Sequence, residues 1–264
     1  MPKLITQTNP AVVKKNAARC KARGIILPTI RQQMYPETIP AAIKERLQPV
    51  GLWDINPLNL FRITWKNDIS TGLFGAPNYF EIPSEITGVK ARIIGLVGKY
   101  FPTGAHKVGA AYGCLAPRLV SGTFDPEIHK AVWPSTGNYC RGGAFDCALL
   151  DCPAVAILPE EMSQERFDWL REIGAEVFAT PGCESNVKEI YDKCDELRPD
   201  PKYVILNQFD EFGNSFWHYH VTGNAIEEVY DLIKQPGNRL SAYVSSTGSA
   251  GTIAAGDYLK RIHP

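Results

Sequence analysis

The chain has 264 residues, 44% hydrophobic and 21% charged, a composition that favours a globular protein with a substantial core and room for two lobes. Its 28 basic side chains are matched by 28 acidic ones, so no net charge attracts nucleic acid or a membrane surface, and small-molecule chemistry is favoured. The sequence contains neither a long apolar span nor a secretory signal pattern, so we expect a cytoplasmic location.

The first 36 residues are basic and contain no acidic residue. Two interpretations are open: an organelle transit peptide, or a solvated basic face on a short helix. The helix is favoured, with Asn9 as N-cap, Pro10 at the first helical position and Gly24 just past the end. The odd number of cysteines, without a CxxC pair, indicates reduced thiols. They are Cys20, Cys114, Cys140, Cys147, Cys152, Cys183 and Cys194.

Residues 25 to 90 are rich in proline and aromatic residues and show little periodicity apart from the helix-like "AAIKERL". We therefore predict an N-terminal extension over residues 1 to 90 that packs on the core. From about residue 91, short apolar runs alternate with helix-length amphipathic segments, which is typical of βαβ units and a parallel sheet. We predict a smaller αβα lobe over residues 91 to 213 and the start of a larger lobe over residues 214 to 264.

The predicted elements after residue 90 are six strands and six helices. The strands are Arg92 to Val97, Ala131 to Trp133, Ala154 to Leu158, Glu176 to Ala179, Tyr203 to Leu206 and Ala242 to Ser245. The helices lie around residues 107 to 120, 139 to 150, 163 to 173, 184 to 197, 215 to 234 and 252 to 262. Ser163 can cap the third helix, and Gly174 suits a left-handed position at its end. Ligands of such sheets bind at the loops that lead from strands into helices.

The first of these loops, "PTGAHK", places Lys107 on the first turn of a helix. An amine that is partly desolvated there should have a lowered pKa, which suits Schiff-base chemistry. The alternative is an ordinary surface lysine.

The second loop, "STGN", brings Ser135, Thr136, Gly137 and Asn138 to a helix N-terminus, where backbone N–H groups and hydroxyls suit a carboxylate. Simple N-capping is the alternative. The third loop, "GSAGT" at residues 248 to 252, fits neither a GxGxxG motif nor a P-loop, but it suits one phosphate monoester.

Together the three loops resemble the fold-type-II pyridoxal-phosphate enzymes, the group that includes cysteine synthase, threonine synthase and the tryptophan synthase β chain. "PTGAHK" is similar to the Schiff-base lysine segment, with "TGAHK" nearest the tryptophan synthase version. "STGN" is similar to the substrate-carboxylate loop of cysteine synthase, and "GSAGT" to the phosphate loop. "NQF" at residues 207 to 209, followed by "TGNAI", is similar to the segment between the lobes. The resemblance covers roughly residues 90 to 264.

The resemblance implies an α/β fold with two lobes of parallel-type sheet flanked by helices, the tryptophan synthase β-like fold of type II. It implies pyridoxal 5'-phosphate as cofactor, Lys107 as the Schiff-base lysine and Cα base, and His106 near the phosphate. Asn138 would hold the cofactor's ring hydroxyl, and Gln208 would lie near the substrate. Ser135, Thr136 and Gly137 with Asn138 would bind the substrate carboxylate, and Gly248, Ser249, Ala250, Gly251 and Thr252 the phosphate. The implied reaction is β-elimination or β-replacement on serine, O-acetylserine, cysteine or a similar L-amino acid, in a homodimer or with a completing second chain.

Three departures leave alternatives open. Tyr139 stands where cysteine synthase usually has a small hydroxyl residue, and Val108-Gly109 replaces a charged pair, so the substrate is open between cysteine synthase-like, threonine synthase-like and tryptophan synthase β-like activities. Asn138 stands where a tryptophan synthase would carry its acidic loop, which disfavours indole chemistry. The hydroxyl residue that would meet the pyridine nitrogen is missing, so we expect a chain truncated at its carboxyl terminus.

Two rival functions are also open. One is a catalytically incomplete fragment or partner subunit that keeps the fold without a complete site. The other is a metal hydrolase that uses His218 and His220, which is disfavoured because residues i and i+2 of a helix point apart.

Overall fold

The computed structural model describes residues 5–246 and 248–263. It contains eleven α-helices and six strands within those residues. The helices are α1 Pro10–Ala22, α2 Ile30–Met34, α3 Ala41–Leu47, α4 Ser84–Thr87, α5 Lys107–Ser121, α6 Asn138–Leu149, α7 Gln164–Glu172, α8 Val187–Leu197, α9 Phe212–Trp217, α10 Gly223–Ile233 and α11 Ile253–Ile262. The strands are β1 Tyr79–Ile82, β2 Ile93–Leu96, β3 Lys130–Pro134, β4 Ala154–Pro159, β5 Glu176–Thr180 and β6 Tyr203–Ile205.

A parallel sheet of four strands, in the order β5-β4-β3-β6, forms the centre of the protein. Its residues alternate between two buried clusters: Ala131 and Trp133 face the main core with α5 and α6, whereas Val132 packs with Ile190 and Cys194 of α8. This two-residue period, with both faces covered by helices, confirms the predicted α/β fold.

Most predicted elements agree with the structure to within a few residues. Helix α1 begins at Pro10, and the Asn9 side chain accepts a hydrogen bond of 3.3 Å from the Val12 N–H. Gly24 and Gly174 adopt left-handed backbone angles, with φ of +66° and +90°. Ser163 precedes α7, although its side chain makes no capping hydrogen bond. The helix predicted over residues 215 to 234 is interrupted by a π-helical turn, His218–Thr222, between α9 and α10.

One predicted strand belongs to a different sheet, and another predicted strand is not formed by the described residues. The segment predicted over residues 92 to 97 does not join the parallel sheet, because β2 pairs antiparallel with β1 in a separate two-stranded sheet. Residues 242 to 245 form no strand, and no described strand lies beside them; Val244 is 89% exposed. An apolar run becomes a strand only where a neighbour completes its hydrogen bonds.

The N-terminal ninety residues contribute to both the main core and a smaller one. Ile25, Leu60 and Trp65 lie in the main core with α5 and α6, whereas Ile43 and Phe61 belong to a separate cluster.

The seven cysteines are free thiols, most of them buried. Among the described residues, no helix combines the length and apolarity needed to cross a membrane.

Candidate active site

Lys107 is the first residue of α5, and its amine lies where three distant segments meet. The Nζ atom donates hydrogen bonds of 2.9 Å to Gln208 Oε1 and 3.1 Å to Ser249 Oγ. Burial lowers the pKa of this amine from its ordinary value of 10.5 to about 8. The structure therefore brings together three residues predicted for the site and increases the neutral, nucleophilic fraction of the amine.

The loop that precedes Lys107 has a strained backbone. Thr103, a buried non-glycine residue, adopts a left-handed conformation with φ of +66°, and its hydroxyl has no hydrogen-bond partner among the described residues. Such strain persists only where the surrounding structure imposes it, and it is common at functional sites. Helix α6 packs closely against the first turn of α5, since a Cβ on Gly142 would lie 2.7 Å from the Val108 backbone.

The second predicted loop connects β3 to α6. The Ser135 N–H donates to the Ile157 carbonyl at 3.1 Å, and the Ser135 hydroxyl accepts from the Gly137 N–H at 3.2 Å. Asn138 begins α6, is exposed, and its side chain makes no hydrogen bond to any residue the structure describes. The amide and the helix N-terminus are thus open to a ligand.

The third predicted loop, residues 248 to 252, precedes α11. Gly248 is exposed, and Ala250 adopts a left-handed backbone with φ of +58°. Gly251 is buried, and a Cβ there would lie 2.3 Å from Asn214 Oδ1. The Thr252 hydroxyl donates to the Ser246 carbonyl at 3.2 Å, so this side chain closes the loop on itself.

Asn214, in α9, supports the contact between these segments but was not predicted from the sequence. It is 1% exposed, and its Nδ2 atom donates to the Gln208 carbonyl at 2.9 Å and to Ser249 Oγ at 3.1 Å. Its Oδ1 atom has no partner among the described groups. Nothing local in the sequence marks Asn214, because its role depends on a loop 35 residues away.

His106 lies among aromatic side chains. Its ring stacks on Trp65 at a centroid distance of 5.6 Å and meets the His218 ring edge-on at 5.2 Å. Burial, with Lys107 adjacent, lowers the pKa of His106 to about 4. No hydrogen bond joins it to the described loop 248 to 252, so its predicted contact with a phosphate stays a prediction.

Two other residues considered in the sequence have packing roles. Tyr139 is buried and donates its hydroxyl proton to the Leu206 carbonyl at 3.0 Å, so it ties α6 to the end of β6. His220 packs against the Phe216 ring with a centroid distance of 4.5 Å.

The chain is similar to known proteins in sequence. The family described as "Pyridoxal-phosphate dependent enzyme" matches residues 99–259. A probable cysteine synthase of Bacillus subtilis is 31% identical over 62% of this chain and 51% of its own length. A cysteine synthase of Staphylococcus aureus is 34% identical over the same shares of the two chains. The chain thus spans about half the length of these curated relatives.

The fold also matches solved structures. An O-acetylserine dependent cystathionine β-synthase from Helicobacter pylori superposes with a TM-score of 0.61 at 21% identity, over 71% of this chain and 60% of that one. At this identity the similarity concerns the fold alone.

Proposed function

The chain belongs to the pyridoxal-phosphate-dependent enzyme family, and we propose that it catalyses β-elimination or β-replacement on a small L-amino acid such as serine, O-acetylserine or cysteine. The observation that carries the proposal is the contact of Lys107 with Ser249 and Gln208, which joins the predicted Schiff-base, phosphate and substrate segments. The names of the cysteine synthase relatives support this reaction class.

The residues present fit the cofactor. A lysine amine of lowered pKa lies beside the Ser249 hydroxyl, and the close approach of Gly251 to Asn214 shapes a loop with exposed backbone at Gly248. In our proposal Lys107 carries the cofactor, residues 248 to 252 hold its phosphate, and Asn138 holds its ring hydroxyl. When bound, pyridoxal phosphate supplies an electron sink for the substrate's Cα bonds.

The remaining chemistry belongs to the chain's own groups. Residues 135 to 138 offer hydroxyls and open N–H groups at the start of α6 for the substrate carboxylate, and Gln208 contacts Lys107. Lys107 would take the proton from the substrate's Cα. With a pKa of about 8, about a tenth of this amine is neutral at pH 7, against well under a thousandth for an ordinary lysine.

Assembly, location and lobe boundaries are further parts of the proposal. We infer a smaller lobe over residues 91 to 213, the start of a larger one over residues 214 to 264, and residues 1 to 90 packed on them. A cavity of about 440 Å³ lies between residues 240 to 245 and α11, and Val244 beside it is exposed. We infer that a second copy of the chain or a completing chain covers this surface. Free, mostly buried thiols support a cytoplasmic location.

The test is covalent mapping. Protein incubated with pyridoxal phosphate should gain visible absorbance, and borohydride reduction should fix the cofactor to the peptide that contains Lys107. Lys107→Ala should lose both signals. Labelling of a different lysine would contradict the assignment.

The reaction class has its own measurement. Serine, O-acetylserine or cysteine should exchange its Cα hydrogen for deuterium in heavy water in the presence of the reconstituted protein. Turnover with the Cα hydrogen retained would refute the proposed proton transfer.

A further inference from the structure

A second cationic group, Arg141, lies one turn into α6 after Asn138. Its guanidinium carbon is 5.3 Å from the ring centroid of Trp53 and 5.2 Å from that of Trp169. The two indoles meet edge-to-face at 6.0 Å. Cation–π contacts position the guanidinium group, but they leave its N–H donors available for a ligand.

The charge of Arg141 has no partner within residues 5–246 and 248–263. Its guanidinium makes no hydrogen bond or ion pair there, and its Nε atom is buried and unpartnered. Burial lowers the pKa of Arg141, and the Glu165 carboxylate, whose charge opposes this shift, forms no ion pair with it. By contrast, Arg118 is paired with Glu211 at 2.8 Å. A half-buried guanidinium with unused donors is a favourable site for an anion.

Arg166, in α7, provides a second guanidinium beside the same loop. Its Nη1 atom donates to the Thr136 carbonyl at 3.0 Å and lies 3.5 Å from where a Cβ on Gly137 would be. It forms no ion pair with any described residue. Arg141 contacts the same loop through its backbone N–H, which donates to the Gly137 carbonyl at 3.1 Å. Two arginines that form no ion pair with any described residue are thus attached to the predicted substrate-carboxylate loop.

The cluster is open to solvent on the side of Trp53. This residue is 44% exposed, and its ring lies 3.4 Å from where a Cβ on Gly104 would be. Gly104 belongs to the loop that precedes Lys107. Trp53 therefore lies between the loop that precedes Lys107 and the first turn of α6, which carries Arg141.

We propose that Arg141 and Arg166 bind a second anionic group of the amino-acid substrate, a carboxylate or a phosphate monoester, in addition to its α-carboxylate. The proposal rests on the proposed function and narrows its substrate class to dianionic amino acids such as O-phospho-L-serine. Guanidinium groups suit this task because their planar N–H donors match carboxylate and phosphate oxygens in pairs.

The test begins with inorganic phosphate as the probe and tryptophan fluorescence as the signal, since Trp53 and Trp169 contact Arg141. Arg141→Met and Arg166→Met should each weaken phosphate binding about tenfold or more. Arg171→Met is the matched control, because Arg171 lies in α7 with Arg166, is exposed, and is already paired with Asp168. This variant should bind phosphate with the affinity of the parent protein. Unchanged affinity in both arginine variants would overturn the proposal.

A Lys107→Met variant separates this site from the predicted cofactor-phosphate loop. If phosphate binding is lost in Lys107→Met but kept in Arg141→Met, the anion binds at residues 248 to 252, which overturns the arginine site and leaves the proposed function intact. If cofactor mapping to Lys107 fails while Arg141-dependent phosphate binding persists, the proposed function fails instead.

Substrate selectivity completes the test. In the protein loaded with pyridoxal phosphate, O-phospho-L-serine should bind about tenfold or more tightly than L-serine, and Arg141→Met should remove most of that preference. Equal preference in parent and variant would refute the substrate class. Circular dichroism of each variant checks that the fold is retained.

Discussion

The buried amine of Lys107 should make the stability of the protein depend on pH. Burial lowers its pKa from 10.5 to about 8, so between these values the folded state binds fewer protons than the unfolded state. The free energy of unfolding then rises with pH across this window, and the cost of burying the charge is fully present below pH 8.

The magnitude follows from the shift. At about 1.4 kcal/mol per pKa unit, burial of the charged amine costs about 3 kcal/mol at pH 7, and about 2 to 3 kcal/mol of this is recovered by pH 10. Lys107→Met keeps the apolar stem and removes the charge. Its stability relative to the parent should therefore fall by about 2 to 3 kcal/mol between pH 7 and pH 10. The lost hydrogen bonds to Gln208 and Ser249 add an offset that is nearly independent of pH.

Urea unfolding of parent and variant at several pH values between 7 and 10 measures this difference, and other titrating groups cancel in it. Lys188→Met is the control, because Lys188 is exposed and its hydrogen bond to Asp192 raises its pKa. The stability that this pair contributes is present below the unfolded pKa, so the control difference should stay flat up to pH 10. A flat difference for Lys107→Met as well would refute the burial argument.

Three further changes test other parts of the structure. Asp146 is fully buried, neither of its carboxylate oxygens has a described partner, and burial raises its pKa well above 3.8. Asp146→Asn should therefore raise the melting temperature at pH 8 by a few degrees and give no gain near pH 4, which calorimetry can check. Gly109→Ala places a Cβ 2.1 Å from the Trp217 ring and should cost about 1 to 3 kcal/mol in urea unfolding, whereas an unchanged midpoint would contradict this packing. Asn214→Ala removes the donor to Ser249 and should weaken pyridoxal phosphate binding about tenfold in a fluorescence titration; unchanged affinity would exclude this support role.

Elements whose signals are local could be predicted from the sequence. Helix α1 is defined by the Asn9 cap and Pro10, which act within one turn. Strands β3 and β4 are apolar runs bounded by turn residues, and their burial on both faces matches a parallel sheet. The three loops of the site were also local signals, since each consists of consecutive small or polar residues between a strand and a helix or at a helix start.

Elements that depend on a distant partner could not be predicted. Strand β1 was missed because its proline-rich surroundings show no period, and it exists only through pairing with β2, where Glu81 and Arg92 form an ion pair. The segment 242 to 245 has the composition of a strand but lacks a described neighbour. Arg141 and Arg166 likewise have no motif, because their proximity depends on how α6 and α7 pack.

The hydrogen bonds and the charge of the His218 ring depend on residues that are distant in the sequence. Trp65 Nε1 donates to the Thr222 hydroxyl at 3.0 Å, across 157 residues, so this oxygen is already an acceptor. The same hydroxyl shares a hydrogen bond of 2.8 Å with His218 Nδ1. Burial lowers the pKa of His218 well below 6.5, so the ring is neutral. With His106 also neutral at pH 7, neither ring adds positive charge beside Lys107, and desolvation is the main cause of its lowered pKa.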